Sequence, residues 1–149
     1  MSLKAVDGTA EKIPNIEISF AHLNQQAAFR TALGKVYKNN TLPIKTAYWL
    51  GRVHGAIVKN LEKIGEDYQK IVLEHAQKDD KGNAIPGQFP GSINLDKTKE
   101  AAFKIAKDEF EKNVMKLEFQ KLNIRDFERA GLSAEELVAL EPLFHGELV

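Results

Sequence analysis

The chain has 149 residues with 21 basic and 21 acidic side chains and no cysteine, which is the length of one domain with its own hydrophobic core. Balanced charge removes any general attraction to nucleic acid or anionic lipid, and the missing thiols exclude a disulfide framework and thiolate metal sites. Residues 1–14 lack an apolar signal segment and no later stretch approaches about 18 uninterrupted apolar residues, so a soluble chain with no membrane partner and no signal-peptide secretion is expected.

A polar leader, residues 1–15, gives way to Ile16, Ile18 and Phe20, which alternate with Glu17 and Ser19 as in a half-buried strand. A first helix is predicted over 24–38, with Asn24 as N-cap and Phe29, Leu33, Val36 and Tyr37 on one face. Lys38, Asn39, Asn40 and Thr41 break it.

Residues 43–77 carry one heptad seam of Ala47, Leu50, His54, Ile57, Leu61, Ile64, Tyr68, Ile71 and His75, spaced alternately three and four apart. Pro43 suits the first turn and Thr41 is the nearest capping side chain. From Ile44 to Val58 apolar residues occupy nearly every side, whereas beyond Glu62 the positions off the seam are mostly charged or polar. The first half is therefore predicted to be buried in a base and the second to project as an arm. Ala47, Gly51 and Gly55 recur every fourth residue and predict a close crossing by another backbone.

Turn formers crowd residues 78–95, the expected crossover at the tip of the arm. A third helix follows over 97–116, capped by Asp96 or Asn94, with Phe103, Ala106, Phe110, Val114 and Leu117 as its stripe. Folded back as an antiparallel hairpin, the two stripes match Ile71 with Phe103, Tyr68 with Ala106, Ile64 with Phe110 and Ile57 with Leu117. Residues 117–119 and 122–124 alternate out of phase, which predicts a bulged strand. Ser133 with Glu136 forms a capping box and Leu132 with Leu137 a hydrophobic staple, opening a terminal helix over 134–141 before Pro142.

Chemistry-bearing patterns are scarce. His22, His54, His75 and His145 include no pair at ligand spacing, and His54 and His75, about 30 Å apart by helical rise, are expected to set register or to pair with the partner helix. Asp79, Asp80 and Asn83 around Gly82 lack the ligand order of a calcium loop and predict a plain turn. Glu62 and Glu66 suit a solvated face, and Ser19, Ser92 and Ser133 stand in no nucleophile motif. Phosphate-binding glycine loops are absent. No catalytic, cofactor or metal residue is assigned, and no enzyme activity is expected. Tyr48, Trp49 and Arg52 form one cluster with the composition of a recognition patch, for which burial in the base is the favoured account.

The run Leu42-Pro43-Ile44-Lys45 into Ala47-Tyr48-Trp49-Leu50-Gly51-Arg52, the long charged helix closed by Asp79-Asp80-Lys81-Gly82-Asn83, the return helix and strand, and Leu132-Ser133 through Ala139-Leu140-Glu141-Pro142-Leu143-Phe144 resemble small uncharacterised proteins of tailed bacteriophages and prophages. The likeness spans residues 20–144, with the Pro-Gly-rich stretch 85–91 as a departure. It implies a viral origin, a place in the virion or the bacterial host cytoplasm, and a role in virion structure or assembly. No catalytic residues are assigned in that family to carry over.

The expected fold is mainly α in a single domain: a base of residues 16–58 and 115–149 with a minor β component, and a two-helix hairpin arm over 59–114. The expected function is non-enzymatic, through protein contact in a homo-oligomer or larger assembly. An accessory protein that binds a host factor or small ligand against host defence is the alternative, and nucleic-acid binding ranks third.

Overall fold

The computed structural model describes residues 12–147, and most of the expected leader lies outside them. The fold is mainly α. Strand β1, Asn15–Ser19, buries Ile16 and Ile18 completely and exposes the side chains between them, as its alternation predicts. It ends because Ser19 turns its side chain to accept from the His22 backbone N–H at 3.0 Å, capping α1, Phe20–Gln25.

The single helix expected over 24–38 is thus two. α1 starts at Phe20, the chain breaks, and α2 runs Phe29–Tyr37. Asn24 caps nothing; its amide donates to Glu111 at 3.1 Å. In α2, Phe29, Ala32, Leu33 and Val36 are buried at the three- and four-residue spacing of one helical face.

The long helix, α3, spans Ile44–Glu74 rather than 43–77. Pro43 stands at its N-cap without a side-chain cap, because Thr41 bonds Asn39 through both its backbone N–H and its hydroxyl. Its fully buried stripe is Thr46, Leu50, Val53, Ile57 and Leu61. Ala47, placed on the seam by the heptad pattern, is exposed, and Val53 is buried in its stead. Gly51 and Gly55 have no atom within 4 Å of a built Cβ, so the predicted close backbone crossing is absent.

Neither seam histidine bonds a polar group of the returning helix, although His75 meets the Phe103 ring there. His54 stacks on Tyr37 of α2 with centroids 3.9 Å apart, and His75 donates from Nδ1 to the Ile71 carbonyl of its own helix at 2.7 Å. Burial holds the His54 imidazole below its ordinary value near 6.5, so the folded state resists its protonation. The stability it contributes is complete above that ordinary value and is lost as pH falls through the lower folded one. Urea midpoints should therefore decline below pH 6.5 more steeply in the wild type than in His54→Gln.

A 3-10 turn, Lys97–Lys99, capped by Asp96, leads into α4, Glu100–Glu111. The expected helix over 97–116 stops short because Asn113 leaves the helical path, its carbonyl accepting from Phe20 N–H at 2.9 Å, and strand β2, Val114–Gln120, begins at once. Val114 and Leu117 therefore belong to a strand and not to the helical stripe. β2 pairs antiparallel with β1, Ile18 opposite Met115 and Asn15 opposite Gln120. Between Glu17 opposite Lys116 and Asn15 opposite Gln120, β1 advances two residues while β2 advances four. The bulge lies there, ahead of the predicted place. The phase change after Phe119 has a different cause: β3, Leu122–Asn123, leaves for a second, parallel pairing with β4, Phe144–His145.

The terminal helix α5, Ala134–Leu140, has the predicted capping box, and Leu132 and Leu137 both pack on the core. Glu136 is further held by Lys35 at 2.9 Å. Ser133→Ala should lower stability by about 1 kcal/mol, read as a shift in thermal midpoint, because one orphan N–H loses its acceptor. Core residues come from Ile16 to Leu61 and from Met115 to Phe144, so the chain between them lies outside the main core.

α3 and α4 meet through aromatic rings, Tyr68 on Phe110 at 5.4 Å and His75 on Phe103 at 5.7 Å. Phe110 was expected opposite Ile64 and Phe103 opposite Ile71, so the register is four residues, about one turn, from that predicted. Phe110 also packs on Phe20 at 5.0 Å, which ties the end of α4 to α1 and sets the register from the base.

Candidate interaction surface

α3 emerges from Pro43 with its buried stripe turned to the core, and the residues between the stripe positions face outward. Ile44 is 90% exposed, Tyr48 55% and Trp49 43%, which corrects their expected burial in the base. Periodicity could not reveal this, since α3 is apolar on more sides than this small core covers. Tyr48 and Trp49 meet edge to face at 5.2 Å, and Arg52 donates to the Tyr48 hydroxyl at 3.1 Å with its guanidinium 6.0 Å from the ring centroid. The three residues named from sequence as a recognition patch are brought together. An edge-to-face aromatic pair with an arginine on the tyrosine has the composition that dominates protein interfaces.

Trp49 also borders a cleft of about 510 Å³ between α3 and the chain from Glu118 to Asn123. Phe119, within the bulged part of β2, stands 6.4 Å from Trp49 across it. Val53 and Leu122 contribute apolar lining, and Lys45, Lys121, Glu118 and His145 polar lining. Thr46, which is buried, donates to Asp126 at 2.5 Å, linking α3 to the 3-10 turn Ile124–Phe127 and fixing the cleft's inner wall. Ile44, Phe119 and Asp126 were not singled out from sequence. An apolar residue directly after the helix-opening Pro43 was the available signal for Ile44; Phe119 required knowledge of the bulge.

The expected seam residues divide between the core and the α3–α4 contact. Ile57, Leu61 and Leu117 are buried in the core and Ile64 packs against it, Tyr68 meets Phe110 and Phe103 meets His75 across α3 and α4, and Ile71 and Ala106 are half-buried. Among the described residues no three His, Asp or Glu side chains converge in a way that could hold a metal ion, and no helix is long and apolar enough to cross a membrane.

The loop beyond α3 holds a further exposed aromatic. The crossover expected over 78–95 is cross-bridged: Ala76 pairs with Leu95, Lys78 with Ala84 and Pro86 with Ile93. Within this loop Phe89 is 70% exposed on a fixed turn. Ser92 donates its hydroxyl and its backbone N–H to the Phe89 carbonyl at 2.6 and 3.0 Å, and its Oγ accepts from Phe89 N–H at 3.1 Å. Gly91 supplies the positive φ of 79°, and a Cβ at Gly87 would stand 2.4 Å from Ser92 Oγ, so this close approach requires glycine. Phe89 was passed over as part of a turn-forming run, although an aromatic between Gln88 and Pro90 in such a run was the signal.

The fold and surface define a small, mainly helical protein with an exposed aromatic face. Comparison with protein families, curated proteins and solved structures returns no match for the chain.

Proposed function

We propose that the protein acts by protein contact and without catalysis, as a structural or assembly component of a bacteriophage or prophage, in the virion or in the host cytoplasm. The observation that carries the contact reading is the exposure of Ile44, Tyr48 and Trp49 together on one end of α3. A contiguous apolar surface of this kind is costly to leave in water and is a common mark of an interface. The viral setting follows from the resemblance in motif order. The distal half of α3 and the returning α4 serve as a hairpin arm that carries the 76–95 loop away from the base, a role supported by the two ring contacts between them.

Sedimentation of the purified chain and assay of purified particles test this reading. Oligomers, or the protein's presence in particles, support it; a strict monomer absent from particles counts against it. The cleft favours a second reading, an accessory protein that binds a host factor or small ligand, because its volume and mixed lining suit a compact ligand. A molecule retained through purification supports that alternative. Nucleic-acid binding stands third at zero formal charge, and tight, salt-sensitive DNA binding would move it forward.

A further inference from the structure

We propose that the cleft beside Trp49 binds a small zwitterion with a planar apolar body, of the chemical class of the aromatic amino acids. This rests on the second reading, in which the cleft takes a compact ligand, and gives that ligand a chemistry. The apolar part of the lining is graded in depth: Val53 and Leu122 are buried, Ile13 and Phe119 are half-buried, and Trp49 is 43% exposed. The Trp49 and Phe119 rings are tilted at 56° with centroids 6.4 Å apart, an arrangement that a third ring can extend. A volume of about 510 Å³ is ample for one ring and its polar groups.

Two cations, Lys45 and Lys121, and two carboxylates, Glu118 and Asp126, line the same cleft. Among the described residues none of the four enters an ion pair; the pairs formed are Lys35 with Glu136, Lys63 with Asp67 and Lys112 with Glu109. Asp126 is anchored through Oδ2, which accepts from the buried Thr46 hydroxyl, and its other oxygen takes no hydrogen bond from a described residue. Both signs are therefore present and held apart. A simple anion would answer the lysines and meet the carboxylates at a like-charge cost, and a simple cation would do the reverse. A zwitterion answers both, with its carboxylate toward Lys45 and Lys121, its ammonium toward Glu118 and the free oxygen of Asp126, and its ring on Trp49. His145, also in the lining, adds one more polar ring.

Trp49 is the sole tryptophan, so its emission reports on the cleft of the full-length chain. Titration with L-phenylalanine should change that emission saturably. Phenylethylamine, which lacks the carboxylate, 3-phenylpropanoate, which lacks the ammonium, and L-alanine, which lacks the ring, should each bind at least about tenfold more weakly. Neutralising the lysines, Lys45→Gln with Lys121→Gln, should weaken L-phenylalanine about tenfold and leave phenylethylamine no weaker. Glu118→Gln should weaken L-phenylalanine and leave 3-phenylpropanoate no weaker. Unchanged thermal midpoints show that these variants fold.

Phenylethylamine or 3-phenylpropanoate binding as tightly as L-phenylalanine overturns the zwitterion and leaves the cleft a ligand site. A different molecule retained through purification, with no response to L-phenylalanine, does the same. No response to L-phenylalanine in a chain that retains no molecule overturns both the zwitterion and the second reading.

Discussion

Phe110→Ala is expected to destabilise the protein by about 3–5 kcal/mol, lowering the thermal midpoint by roughly 10 °C. Phe110 is 8% exposed and packs between Phe20 and Tyr68, so truncation empties space that α1, α3 and α4 share. Ile64→Ala, at a half-buried site, should cost only about 1–2 kcal/mol. Under the register predicted from the heptads, Phe110 and Ile64 face each other and the two truncations would be comparable. A double-mutant cycle separates the registers: Phe110 with Tyr68 should show about 0.5–1.5 kcal/mol of coupling, and Phe110 with Ile64 much less.

The next largest effect lies at the other end of the chain. Leu140 is completely buried, and the carbonyl of its neighbour Ala139 accepts from His22 Nε2 at 2.7 Å, so α5 is bound to the elements nearest the N-terminus by packing and by a polar link. Leu140→Ala should cost about 2–5 kcal/mol in denaturant unfolding. A chain ending at residue 132 should lose cooperative unfolding altogether, because Ala139, Leu140, Leu143 and Phe144 leave the core together. Cooperative unfolding retained by that fragment would show that the terminal segment is an accessory to the core and not part of it.

What could be read beforehand was local and periodic. Ile16 and Ile18 show strand alternation, Ser133 and Glu136 show their capping box, and the buried succession Leu50, Ile57 and Leu61 shows in the heptads. What could not be read depends on contacts distant in sequence. Asn113 ends α4 because Phe20 needs an acceptor, and the chain leaves β2 after Gln120 because Leu122 finds Phe144. The histidines illustrate the same limit, since heptad position says nothing of Tyr37, which stacks on His54 from another helix. At the candidate site, Tyr48, Trp49 and Arg52 were legible as a cluster by their spacing. Their exposure was not, because it is decided by how little of α3 the small core can cover.

The exposed face of Ile44, Tyr48 and Trp49 is the observation behind the proposed contact role. Hydrogen–deuterium exchange of the full-length chain, compared between dilute and concentrated samples, tests that assignment most directly. Slower exchange on concentration is predicted over residues 44–52, which carry the exposed Ile44, Tyr48 and Trp49. Exchange that does not respond to concentration, in a chain also absent from purified particles, would contradict it.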